Sequence, residues 1–139
     1  MVEVVNRQTT RRIIKKRWSE FAERALRAIG TPKKNSTVVF VSDHKIRELN
    51  RQFRGRDYAT DVLSFPHQPE AFEDQTDLGQ LVISVPRAVA QAKQNDLSFD
   101  NEVEQLILHG LLHLCGYDHE TDDGEMNRLE LTLRKRLGI

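Results

Sequence analysis

A chain of 139 residues suits one domain built around a single core, on the usual span of about 100–200 residues per domain. Apolar residues make up 38% and charged residues 30%, while Lys+Arg and Asp+Glu balance at 21 each, so net charge carries no argument for or against a nucleic-acid partner. No apolar run approaches the ~20 residues of a membrane span, the N-terminus lacks the basic-then-apolar order of a signal peptide, and the single cysteine excludes an internal disulfide; a cytoplasmic protein without membrane contact is expected.

In chain order, VEVVNR (2–7) reads as a short strand. From about Thr10 to Ile29, Ile14, Trp18, Phe21, Ala25 and Ile29 recur at helical spacing, and Gly30 with Pro32 stops the helix. STVVFVS (36–42) is a β-branched run suited to an inner strand. Ser42 or Asp43 caps a helix running to about Phe53, buried through Ile46, Leu49 and Phe53. TDVLSFP (60–66) is the next strand, an acidic loop follows, and LGQLVISV (78–85) is a fourth. Pro86 starts a helix over 86–95, Ser98 or Asp100 opens a long apolar helix, and a last helix over about 122–137 turns Met126, Leu129, Leu133 and Leu137 inward. Strands interleaved with helices predict an α+β single domain over residues 1–139, with a small mixed sheet of about four strands packed by about five helices. Basic residues gather at 11–17 (RRIIKKR), 51–56 and 134–136, and acidic ones at 70–77, 100–104 and 118–125; each cluster reads as a solvated face.

The chemistry concentrates in HGLLHLCGYDHE, residues 109–120. Residues four apart on a helix lie one turn apart on one face, with Cβ atoms ~5–6 Å from each other, so His109 and His113 can share a metal. Gly116 ends the helix with a backbone turn that returns His119 as a third ligand. Leu106, Leu108, Leu111, Leu112 and Leu114 surround the pair and dry the site. Three protein ligands leave a fourth position open, the arrangement of catalytic rather than structural zinc. The spacing matches the metzincin proteases, but Gly110 stands where they carry the glutamate base, which counts strongly against the peptidase reading. Cys115 reads as packing, and Asp118 either orients a histidine or makes the turn. The lone histidines His44 and His67 read as surface residues.

These residues, together with LNRQFRGRDYATDVLSFP (49–66) and LGQLVIS followed by AVAQAK, resemble the bacterial YbeY family of endoribonucleases, also described as rRNA maturation factors, over nearly the whole chain. One position departs: relatives commonly read L-G-D-I where this chain has Gln80 and Leu81, which removes a carboxylate. The resemblance implies a zinc-dependent endoribonuclease with one Zn²⁺ per chain, preferring single-stranded RNA. It would act in maturation of the small-subunit (16S) rRNA 3′ end and in late ribosome quality control, with the ribosome or ribosomal proteins as partners. It carries metal ligation onto His109, His113 and His119 and a catalytic and substrate-binding role onto Arg54, which is read as sitting in a loop before Gly55. Arg56 is a second candidate for a phosphate contact, and Arg51 reads as solvated surface. The residue chemistry agrees: a metal on one non-bridging oxygen and a guanidinium on another suit phosphodiester cleavage. The sequence places no general base, so the nucleophile is either a coordinated water or the RNA's own 2′-hydroxyl. Two other readings stay open, a non-catalytic zinc-stabilised ribosome assembly factor for which the basic stretch 11–17 matters more, and a metallohydrolase for another substrate.

Overall fold

Each strand is a short aliphatic or β-branched run, and the sheet's two faces are set by which alternate side chains each run can bury. In the computed structural model, which describes residues 1–68, 70 and 75–139, the order is β1 (Val2–Asn6), α1 (Lys15–Ile29), β2 (Asn35–Val41), α2 (Asp43–Arg54), β3 (Val62–Pro66), β4 (Asp77–Ser84), α3 (Val85–Gln94), α4 (Phe99–Leu114) and α5 (Glu125–Leu137). Four strands and five helices among the described residues match the α+β expectation. The sheet order is β1-β2-β4-β3. β1 pairs parallel with β2 and β2 with β4, while β3 runs antiparallel to β4 and forms one edge. Residues 71–74 of the acidic stretch expected after β3 lie outside the described residues.

One face of the sheet buries Val38, Phe40, Leu81 and Ile83 fully, against Trp18, Phe21, Ala22, Ala25 and Leu26 of α1 and the apolar body of α4. The other face carries a smaller core in which Leu63 and Val82 meet Ile46 of α2. Burying one such Leu or Phe contributes roughly 1.5–3 kcal/mol, so the larger core dominates the stability of the fold. α5 packs across α1 and α4 and closes the larger core through Met126 and Leu133.

Helix starts follow their caps. The hydroxyls of Ser42, Ser84 and Ser98 accept from Lys45, Arg87 and Asn101 amides, opening α2, α3 and α4. Ser84 therefore ends β4, and Val85, expected at the strand's end, instead begins α3. α5 begins at Glu125 rather than 122, because the Asp122 carboxylate accepts from the Gly124 and Met126 amides just ahead of the first turn. Two apolar expectations are corrected. Ile14 is 56% exposed because α1 starts only at Lys15, the residues before it being held in a non-helical turn. Phe53 is 58% exposed, since the last turn of α2 runs past the smaller core and leaves only an edge-to-face contact with Phe65 at 5.4 Å.

Helix α4 and the sheet approach closely at Gly110. A Cβ there would stand 2.5 Å from Leu81 Cδ2, so α4 rests on β4 where its glycine removes the side chain. Gly110→Ala is expected to destabilise the protein by about 1–3 kcal/mol through overpacking, measured by urea unfolding. Combining it with Leu81→Ala should give a smaller total loss than the sum of the two single changes, and strict additivity would show that the contact is unstrained.

Candidate metal centre

From Leu106 onward α4 is apolar almost all round, with Leu106, Ile107, Leu108, Leu111, Leu112 and Leu114 buried, and His109 and His113 are the half-buried exceptions. These two face β3, the edge strand, across a cleft of about 550 Å³. Gly116 takes the left-handed conformation (φ 101°) beyond the helix, and the Tyr117 amide donates back to the Leu112 carbonyl at 3.1 Å. The reversed chain brings His119 over the pair, with ring centroids 5.6 Å from His109 and 5.2 Å from His113. One ligand atom from each of the three histidines falls within 4.8 Å of the others. The three are positioned to bind a metal ion.

Hydrogen bonds fix which nitrogen each helical histidine presents. His109 Nδ1 lies 2.6 Å from the Glu130 carboxylate and His113 Nδ1 lies 3.0 Å from the Tyr117 carbonyl. Both partners only accept, so both Nδ1 atoms carry the proton and both Nε2 atoms present lone pairs. Those two Nε2 atoms face each other at 3.2 Å. Lone pairs so placed repel one another unless a cation or proton sits between them. Tetrahedral bonds of 2.0–2.1 Å separate two ligand nitrogens by about 3.3 Å, so the pair fits zinc with little adjustment. Burial, then the neighbouring charge of His109, holds His113 below its ordinary pKa and keeps it in the neutral, ligating form.

Glu130, on α5, is the residue that sequence reasoning missed. It is 7% exposed and divides its carboxylate between His109 and Arg134 Nη2, the latter also at 2.6 Å. Burial pushes this carboxyl up, but the hydrogen bond and charge of His109 and the charge of Arg134 outweigh it and hold it below the ordinary value. A carboxylate on the far nitrogen of a ligating histidine fixes its tautomer and ring plane and raises its basicity. Nothing in the spacing of HGLLHLCGYDHE points to a glutamate 21 positions after His109; the only available signal was an acidic residue interrupting the apolar face of the last helix.

Arg54 reaches the same cleft from the opposite wall. It is the last residue of α2 rather than part of a loop, and Gly55 behind it is left-handed (φ 67°). Its Nη2 donates to the Ser64 carbonyl on β3 at 2.7 Å, which aims the side chain along the edge strand. Arg56 is exposed beside the Tyr58 hydroxyl, 3.4 Å away, and does not line the cleft. Three carboxylates do line it: Asp61, Asp118 and Glu120. Asp61 accepts from the Val62 amide at 2.7 Å and Asp118 from the Glu120 amide at 3.0 Å, so Asp118 is a turn residue. Cys115 stands outside the histidine group, and burial pushes its thiol up, as for a packed residue. Gln80 is exposed on β4 opposite Phe65 and lines no part of the cleft, so the departure at that position leaves the cleft unchanged. His44 and His67 are exposed and stand apart from the cluster.

Residues 3–138 match the family described as Endoribonuclease YbeY. The chain belongs to the YbeY family. Endoribonuclease YbeY of Nautilia profundicola is 48% identical over 106 residues, covering 76% of this chain and 74% of its own. That of Helicobacter pylori is 49% identical over 102 residues, 73% of this chain and 71% of its own. That of Solibacter usitatus is 43% identical over 119 residues, 86% and 76% respectively. A solution structure of a Thermotoga maritima protein shares the fold over 99% of this chain and 89% of its own, with a TM-score of 0.66 at 27% identity. Among the described residues no helix is long and apolar enough to cross a membrane.

For this YbeY-family site, Glu130→Gln is expected to lower affinity for a divalent metal about 10- to 100-fold, read by competition with a chromophoric chelator. Helix content should stay as in the parent. Unchanged affinity would mean that the glutamate serves the helix packing alone.

Proposed function

We propose that the protein is a zinc-dependent endoribonuclease selective for single-stranded RNA, acting in the cytoplasm on the 3′ end of small-subunit rRNA and in late ribosome quality control. As a member of the YbeY endoribonuclease family it is a hydrolase of RNA phosphodiester bonds. The observation that carries the finer reading is the convergence, in one cleft, of three imidazoles on one side and an anchored guanidinium on the other.

Zinc is the metal read for the site, because an all-imidazole, three-ligand set with tetrahedral spacing suits it and leaves one position open. Bound there by His109, His113 and His119, it supplies Lewis acidity toward a phosphate oxygen and acidifies a coordinated water. The chain's own groups do the rest. Glu130 and the Tyr117 carbonyl hold the two helical imidazoles as Nδ1–H tautomers. The buried leucines of α4 pack behind the two imidazoles and keep water from that side of them. Arg54 commits one N–H to Ser64 and keeps its remaining donors for a non-bridging oxygen, where negative charge grows as the phosphorus is attacked. That guanidinium is already oriented before the substrate arrives, so little reorganisation is needed at the transition state. The cleft between α4 and the edge of β3 supports the single-strand preference, since a strand free of its complement can bend its backbone into that space.

Cleavage of single-stranded RNA by the wild type, with and without added zinc, tests the reading. Protein never exposed to chelator should carry about one zinc per chain. His113→Ala should lose metal and cleavage together. Arg54→Ala should keep metal and fold yet lower kcat about 10²- to 10³-fold. Products ending in 2′,3′-cyclic phosphate would assign attack to the RNA's own 2′-hydroxyl. Metal-loaded protein that leaves single-stranded RNA intact while still binding ribosomes would make it an assembly factor instead.

A further inference from the structure

The basic stretch 11–17 is more organised than a solvated face. Between Val4 and Ser19 the chain carries Arg7, Arg11, Arg12, Lys15, Lys16 and Arg17 and no acidic residue. A cleft of about 350 Å³, lined by Arg11, Arg12, Arg17, Trp18, Phe99 and one carboxylate, Asp100, opens at the far end of α4 from the histidines. Arg11 lies over the Phe99 ring, 4.3 Å from its centroid, and Arg17 over Trp18 at 5.1 Å. The turn that carries Arg11 is clamped by Gln8, whose side chain accepts from the Arg11 amide at 3.1 Å and donates to the Arg11 carbonyl at 2.7 Å. Arg17 is partly neutralised by Asp100 at 3.4 Å, whereas neither Arg11 nor Arg12 has an acidic partner among the described residues.

A guanidinium stacked on an aromatic ring loses rotamer freedom yet keeps its in-plane N–H donors free, and those donors match two phosphate oxygens at once. The cluster also has a cost. Lys15, Lys16 and Arg17 occupy the first turn of α1 with no acidic residue and no side-chain cap there, against the helix dipole. Among the described residues Asp100, 3.4 Å from Arg17, and Glu20, 3.9 Å from Lys16, offset that repulsion in part, and a polyanion would offset the rest.

We propose that this cleft is a second phosphate-binding site that grips the backbone of the RNA strand away from the cutting site. The proposal rests on the endoribonuclease reading for the identity of the polyanion. Phe99 opens α4 and His113 lies in its last turn, so the sites are separated by about 21 Å along the helix at 1.5 Å per residue. A stacked strand rises about 3.4 Å per nucleotide, so about six nucleotides bridge them, and only longer RNA engages both.

The test measures affinity against salt for metal-loaded full chain, by fluorescence anisotropy, with single-stranded oligonucleotides of about 4 and about 15 nucleotides. Arg11→Ala combined with Arg12→Ala should weaken binding of the longer strand only. Its slope of log affinity against log salt should shrink by about 1.4, two contacts at about 0.7 each, which makes the loss between about 50 and 200 mM salt about sevenfold smaller. Lys135→Ala with Arg136→Ala, an equal change of charge on α5, should leave that slope as in the wild type. An unchanged slope in the arginine variant, or an equal drop in both variants, overturns the site. So does an arginine variant that binds naked RNA normally but loses ribosome association, which would assign the surface to an acidic protein. A wild type that cleaves neither strand, while the slope still falls in the arginine variant alone, would sink the nuclease reading and leave this site standing.

Discussion

The contact of α4 with β4 at Gly110 sets the geometry of everything that follows. A helix normally stands off a sheet by the thickness of its side chains; here the missing Cβ lets the α4 backbone settle onto Leu81, which is fully buried beneath it. β3 is the neighbour of β4 and the edge of the sheet, so lowering α4 at this point brings the flanking His109 and His113 level with that edge. The cleft is therefore walled by a helix and a strand, and the turn after α4 that carries His119 closes it. Arg54, tied to the Ser64 carbonyl, closes the other side. Groups held by regular elements keep their positions better than groups on loops, and positional accuracy is what a metal and a phosphate both demand.

The same glycine explains how a protease-like spacing hosts different chemistry. The residue following the first histidine of such a helix faces the sheet in this fold, into a space already filled by Leu81. A glutamate there would bury a charge against leucine as well as overlap it, so the position is closed to a base on steric and electrostatic grounds alike. The carboxylate the centre does possess comes from behind. Glu130 reaches His109 from α5, and Arg134 compensates its charge, so the basicity of the imidazole is raised from behind the cleft. The carboxylates that do line the cleft sit on the β3 wall and the turn after α4, and two of them spend an oxygen on backbone amides.

Legibility tracked sequence distance. The gathering of the three histidines could be read because they lie within eleven residues and helix periodicity alone brings two of them together; Gly116 then accounts for the third. Serine caps and the Pro86 start were likewise local and readable. Arg54 was singled out only through family resemblance, and its placement in a loop was wrong because the helix continues to the residue before the left-handed Gly55. Glu130 was invisible, as its partner is on another helix. Ile14 and Phe53 were misread as core for a related reason: periodicity marks a face as apolar but does not say how far the neighbouring element extends to cover it.

The sequence by itself determined the α+β class, most element positions, and a histidine spacing suited to a metal-binding turn, because all of these depend on local backbone preferences and on periods of two and 3.6 residues. Tertiary structure alone decided the strand order, the depth at which α4 rests on the sheet, the glutamate behind His109 and the meeting of Arg54 with the histidines. These are contacts between segments far apart in the chain, fixed by how buried surfaces fit one another, and no local pattern encodes the fit.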